Sequence, residues 1–392
     1  MQKKIPHINP SITFNKLSDN EFILCNTLHK HYLKINKDTY DLLSLIDNER
    51  SLQEICELHN QQSEKELTVN ALHFLLYDKL SKYGLLVGEE EQIKPYQKPS
   101  YLKLSFIIFS KRFIAKITPS LHFLFRKKIA FPLLILCAVM IGTELYLLLD
   151  GYKSFKVQES VIFFLVVMAI SVTFHELGHA TAASYFGAEH GGIGGGFYLF
   201  TPVYFADVTD VWRLKKWQRV VVNCAGMYFE IIFCTLLSLV GLLLGQISLT
   251  LIAIIVCLHT FFNLNPFLRS DGYWILSDIT NKPNLLQHSF RKIGDVFKMI
   301  KGKKVQWTKI DFLLLVYGLI SYSFIVLFVY YVLFKNPHSI LNFPQNLYHF
   351  LKSLCNKDAT ISLVSFGELI VPMLFFYLLF SFLKSILRKK KI

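Results

Sequence analysis

Long apolar runs and short mixed segments divide the chain into two parts. From residue 129 onward, apolar stretches of roughly twenty residues recur: IAFPLLILCAVMIGTELYLLL (129–149), about 160–185, about 219–244, about 248–268, FLLLVYGLISYSFIVLFVYYVLF (312–334) and about 361–384. A helix of that length crosses about 30 Å of hydrocarbon. The pattern before residue 93 is different. EFILCNT (21–27) and HYLKI (31–35) read as two strands of a hairpin. TYDLLSLID (39–47) has helical apolar spacing. Ser51 and Glu54 form a capping box for a second helix, and Val69, Leu72, Leu75, Leu76 and Leu80 line one face of a third helix, 68–83, that stops at Gly84. A hairpin with three helices is a winged-helix-like arrangement.

The expected fold is therefore mainly α. A small winged-helix-like soluble domain (1–92) precedes a basic linker and interfacial helix (93–128), which leads to a polytopic domain of about six transmembrane helices (129–392). Composition agrees: 53% of residues are hydrophobic and 15% aromatic, with mean hydropathy +0.39, well above the usual soluble range. The net charge of +14 reads as anchoring to anionic membrane lipid, not as nucleic-acid binding. The stretch from Lys94 to Lys128 is rich in Lys and Arg and holds no acid, and LSFIIFSKRFIAKI (104–117) reads as an interfacial segment. Basic residues are also dense at 213–219, 282–309 and 384–391. The positive-inside rule then predicts a multi-pass protein of the cell membrane with both termini cytoplasmic. MQKKIPHINP has no apolar core, so no cleavable signal peptide is expected. The seven cysteines show no C-x-x-C spacing and predict no disulfide framework.

Candidate chemistry is concentrated in the second run. SVTFHELGHATAASYFG (171–187) contains His175-Glu176-Leu177-Gly178-His179. Histidines four apart share a helix face and can reach one ion, and the adjacent Glu176 can act as general base on a water. Ionisable groups in a membrane-grade helix point to function. A catalytic zinc takes a third protein ligand, and the candidate is Asp271 in NLNPFLRSDGYWILSD (263–278). There Asn265-Pro266 breaks the helix and Asp271-Gly272 turns the chain back. Asn263 and Asn265 are candidates for holding substrate or an oxyanion. His190 lies in a Gly-rich loop, Glu230 shares a face of the third span with Asn223, and Glu144 is expected to reach outward from the end of the first span.

H-E-x-x-H on one span followed by N-P…D-G on a later one resembles the site-2 protease family of intramembrane zinc metalloproteases. The resemblance covers roughly 160–280. It implies one Zn2+ held by His175, His179 and Asp271, with Glu176 as base. NCAGMYFE (223–230) is similar to the family's A-G-P-x-x-E, with Met227 in place of the proline. The segment 187–219, Gly-rich and then aromatic, predicts a membrane-associated β-hairpin that presents a strand edge to an extended substrate. Residues 20–88 resemble PqqD-like domains, which implies that a precursor peptide is bound through its leader along the 21–35 hairpin and the 68–83 helix. Together these predict leader removal from a ribosomally made peptide, with a transporter as possible partner. Regulated intramembrane proteolysis of a signalling protein and a non-catalytic binding, export or immunity role are the alternatives.

Overall fold

The computed structural model describes residues 4–63, 66–89, 93, 103–151, 161–198, 201–267, 269–282, 284–302, 304–355, 369 and 371–380. These residues cluster into two compact units. The first draws on residues 1–100, 105–195 and 204–281, and the second on 101–104, 196–203 and 282–392.

The N-terminal part of the first unit opens with three antiparallel strands, β1 (Ile12–Ser18), β2 (Glu21–Asn26) and β3 (His31–Asn36), in that spatial order. Sequence reading gives β2 and β3 and misses β1, whose alternation ITFNKLS is diluted by polar residues. β2 is the central strand and its residues are nearly all buried. β1 and β3 are the outer strands of this sheet. α1 (Lys37–Ser44) starts at Asn36, whose side chain caps the helix. α2 (Leu52–Gln62) starts at the Ser51–Glu54 capping box. The third helix begins at Val69, widens to a π-type turn over Phe74–Leu80 and ends in a tight turn at Tyr83. Leu24, Leu43, Leu52, Ile55, Leu72 and Leu76 form the centre of a core. Its apolar burial is the main force holding these short elements together, since helices of this length are marginal alone.

Among the described residues, the membrane part holds four helices long and apolar enough to cross a bilayer. They lie within α5 (Lys127–Gly151), α6 (Val161–Tyr185), α7 (Lys216–Leu243) and α11 (Lys309–Tyr330, continuing to Lys335). The fourth predicted run, 248–268, is a shorter helix, α8 (Ile247–Phe262). Its sixteen residues span about 24 Å. It ends early because a residue before proline avoids the helical region, and Asn265-Pro266 follows. Of the sixth predicted run, Val371–Phe380 is helical and the remainder lies outside the described residues. α7 is the hub: α6 and α8 pack along it, and α9 (Asp271–Thr280) packs beside its N-terminal half. Met227 does not interrupt α7. In the second unit, amphipathic α10 (Leu285–Ile300) packs on α11 and is joined to it by Lys292–Asp311 at 3.0 Å.

Two expectations need correction. Residues 103–109 form strand β4 (Lys103–Phe109), not an interfacial helix. β4 pairs in a three-stranded sheet with β5 (Ile193–Tyr198) and β6 (Thr201–Ala206), in the order β4-β5-β6. The β-branched and aromatic run SFIIF suits a strand once a partner is present. Ser110 then caps α4 (Lys111–Leu121), which carries the basic residues. Glu144 does not reach outward. It is buried on α5, and neither carboxylate oxygen has a hydrogen-bond partner.

Candidate active site

The helical repeat places His175 and His179 on one face of α6, towards α7 and α9. Close approach of α7 requires two glycines. A Cβ on Gly178 would collide with the Ala225 carbonyl, and one on Gly226 would strike Nε2 of both histidines. Each imidazole is held from behind by α7. His175 Nδ1 donates to Glu230 Oε2 at 2.9 Å, and Ser171 Oγ donates to Glu230 Oε1 at 3.0 Å. His179 Nδ1 donates to the Val222 carbonyl at 2.8 Å. Since a carbonyl and a carboxylate only accept here, both protons sit on Nδ1 and both Nε2 atoms carry lone pairs.

Those two lone pairs converge. His175 Nε2 lies 3.2 Å from His179 Nε2. Asp271, at the start of α9, puts Oδ2 3.0 Å from His175 Nε2 and Oδ1 3.3 Å from His179 Nε2. Asp271 Oδ2 is buried without a hydrogen-bond donor. Electron-rich atoms packed this way repel one another unless a cation lies between them. Zinc bonds of about 2.0–2.1 Å at tetrahedral angles separate ligand atoms by about 3.3 Å, which matches the observed spacings. His175, His179 and Asp271 are the one such group among the described residues. Two nitrogens and one carboxylate leave a fourth position for water or substrate, as a catalytic site needs.

Glu176 is buried on α6 next to this group. The backbone N–H of Ala206, the last residue of β6, is directed at its carboxylate. The hairpin therefore lies over the metal helix, with Ile193, Tyr204 and Ala206 packed against Leu177 and Ala180. Asp271 is positioned by the turn before it. Gly272 N donates to Asn263 O at 2.7 Å, and Ser270 Oγ donates to Asn265 O at 2.6 Å. Asn265 Oδ1 accepts from Phe267 N at 2.9 Å, so that side chain shapes the turn. Asn263 is half-buried at the end of α8. His190 stands apart from the metal group, within 3.3 Å of Thr118 Oγ1 and 2.9 Å of Gly191 O.

Sequence reading missed two partners. The first is the Glu230–His175 bond, since the sequence places Glu230 on a helix face without saying which neighbour it meets. The second is a buried network that ties α9 to α7. Asp278, two turns after Asp271, accepts from Arg219 Nε at 2.6 Å and from Asn223 Nδ2 at 2.8 Å. Burial raises the Asp278 carboxyl, partly offset by the Arg219 guanidinium. The i, i+4 spacing of Arg219 and Asn223 was a usable signal for a shared partner.

The helices and the site define a multi-pass membrane metallopeptidase with two histidines and one aspartate around a candidate metal position. The comparisons agree. Residues 163–329 match Peptidase family M50. A protein of Bacillus subtilis (strain 168) with the name "Putative peptide zinc metalloprotease protein YydH" is 26% identical over 207 residues, which is 50% of this chain and 79% of that protein. No solved structure matches the chain. This chain is a site-2 protease-like zinc metalloendopeptidase, and zinc is its cofactor.

Proposed function

We propose that this protein cuts a ribosomally made precursor peptide at the membrane, removing its leader. His175, His179 and Asp271 hold the zinc. The observation that carries the peptide assignment is the bonding of a small strand-edged sheet to the segment that follows β6. An outer strand such as β3 can take up an extended peptide through main-chain hydrogen bonds, and Lys30 and Tyr32 at that strand bond the segment following β6. The B. subtilis relative, named as a peptide zinc metalloprotease, supports the same reading.

When bound, zinc supplies Lewis acidity that polarises the scissile carbonyl and makes water a nucleophile near neutral pH. The protein does the rest. Glu230 and Val222 fix the two imidazoles in the tautomer that exposes Nε2. Ala206 N–H orients the Glu176 carboxylate. Glu176 takes the proton from water and returns it to the leaving amine. β6 holds the substrate extended, because a helical peptide bond is shielded by its own hydrogen bonds. We place both termini on the cytoplasmic side, with anionic lipid against the basic segments and a transporter as the partner for the product.

The test is the full chain in nanodiscs with the precursor peptide encoded nearest its gene. Glu176→Gln should reduce cleavage by roughly 10²–10⁴-fold with zinc content unchanged. Undiminished cleavage by that variant would exclude the assigned base. If the wild-type chain cuts a membrane-anchored signalling protein and not the peptide, the peptide reading falls.

A further inference from the structure

The contacts between the N-terminal sheet and the segment after β6 are specific. Lys30 Nζ lies 2.7 Å from Asp207 Oδ2, and Tyr32 donates its phenol proton to Asp210 Oδ1 at 2.8 Å. Asp210 is buried, and its second oxygen accepts from Glu189 N at 2.7 Å while Arg213 Nε pairs with it at 2.8 Å. A third bond, Asn281 Nδ2 to Glu21 Oε2 at 3.3 Å, ties β2 to the residue that ends α9. The sheet is thus fastened at two places, one following the strand over Glu176 and one following the helix that carries Asp271.

Asp207 directly follows Ala206, whose N–H is directed at Glu176. Only one backbone step therefore separates the residue that grips Lys30 from the one that faces the catalytic carboxylate. Adding the Lys30 and Asp207 side chains, the ion pair, one peptide unit and the reach from Ala206 N–H to Glu176 gives a path of at most about 20 Å. That bounds the run at about six residues of extended chain at roughly 3.3 Å each.

We propose that this docking makes the enzyme a ruler. A peptide captured along β3 leaves that strand at Lys30 and reaches the catalytic Glu176 after a fixed run of no more than about six residues. The scissile bond is then chosen by its count from the captured segment, with the side chains around it secondary. Lys30, Tyr32, Asp207 and Asp210 are specificity-determining through this spacing, without touching the reacting atoms. The inference rests on the peptide-protease reading above.

The test bypasses leader recognition. Lys34→Cys, at an exposed position on β3, is used to tether a synthetic peptide of about twenty residues with a repeating Ala-Ala-Leu sequence to the zinc-loaded full chain. Every bond type then recurs along the peptide, and mass spectrometry reads where it is cut. One dominant cut is expected, no more than about ten residues from the tether. Asp207→Lys should spread the cuts along the repeat, and adding Lys30→Asp should restore the single cut by reversing the pair. Zinc content and melting temperature show whether each variant is folded. Cuts equally spread in wild type and Asp207→Lys would overturn the ruler and leave the protease reading standing. A folded, zinc-loaded chain that cuts no tethered peptide would overturn both.

Discussion

Glu230 has a role that its position in the sequence conceals. It lies on a membrane helix, 1% exposed, and accepts from both His175 and Ser171. A carboxylate behind a ligating histidine fixes the ring and raises its basicity, and loss of such partners costs typically 10–100-fold in metal affinity or activity. Glu230→Gln keeps shape and one acceptor but loses the charge. Zinc affinity measured by chelator competition is expected to fall by roughly 10-fold for Glu230→Gln and 100-fold for Glu230→Ala. Affinity unchanged in both variants would reduce Glu230 to a helix-packing residue. His175, Glu176 and His179 were legible because the helical repeat turns spacing into geometry. Asp271 was legible because Pro266 and Gly272 mark the turn that aims it. Glu230 was not, because its partner is 55 residues away on another helix and tertiary packing alone brings them together.

At the scale of elements, α9 is held by a buried ion pair and not by length. Arg219 and Asp278 are both largely buried, and Asn223 shares the carboxylate. Removing one partner of such a pair typically costs 3–5 kcal/mol, because the other is left buried and uncompensated. Asp278→Ala should therefore destabilise the chain by roughly that amount and loosen Asp271, read as a lower melting temperature together with weaker zinc binding. A loss of stability without a change in zinc affinity would show that α9 does not position the ligand. The docking of the N-terminal sheet has its own pH window. Burial would raise the Asp207 carboxyl, but Lys30 and Thr209 outweigh it and hold it below its ordinary value. Its contribution is therefore present above about pH 3.9 and lost as pH falls through the depressed value. For Tyr32, burial and then the Asp210 carboxylate raise the phenol, so its contribution holds below about pH 10 and is lost as pH rises through the raised value. Spin labels at Leu28 and Lys215 should report a constant distance from about pH 4 to 10, with lengthening only below and above that window. Strand β4 shows where element reading fails. F-I-I-F suits a lipid interface and a sheet equally well, and only the partner β5 decides. The short α8 illustrates the reverse case, since hydropathy ran on to residue 268 while Pro266 had already set the limit.

At the scale of the whole molecule, the chain has separate hydrophobic cores. The cluster around Leu24, Leu43, Leu52 and Leu72 contains none of the zinc ligands. The bundle core around Val167, Cys234, Ile252 and Cys257 is built on the helices that carry or support them. A metal that binds only the folded bundle stabilises it by about 2.7 kcal/mol at a hundred times its dissociation constant. The chain carries reporters for each part. Cys56 is buried in the N-terminal core, and Cys234 and Cys257 in the bundle. On heating with a thiol reagent, each becomes reactive as its own core opens, and peptide-resolved mass spectrometry separates them. Removing zinc with a chelator should lower the temperature at which Cys234 and Cys257 react, with a much smaller shift for Cys56. The residual shift measures the coupling through Lys30–Asp207, Tyr32–Asp210 and Glu21–Asn281, and it should vanish in Asp207→Lys if those contacts carry it. Equal shifts for both cores in wild type would mean that the two cores melt as one cooperative unit. The strand-edged domain would then have no folding transition of its own.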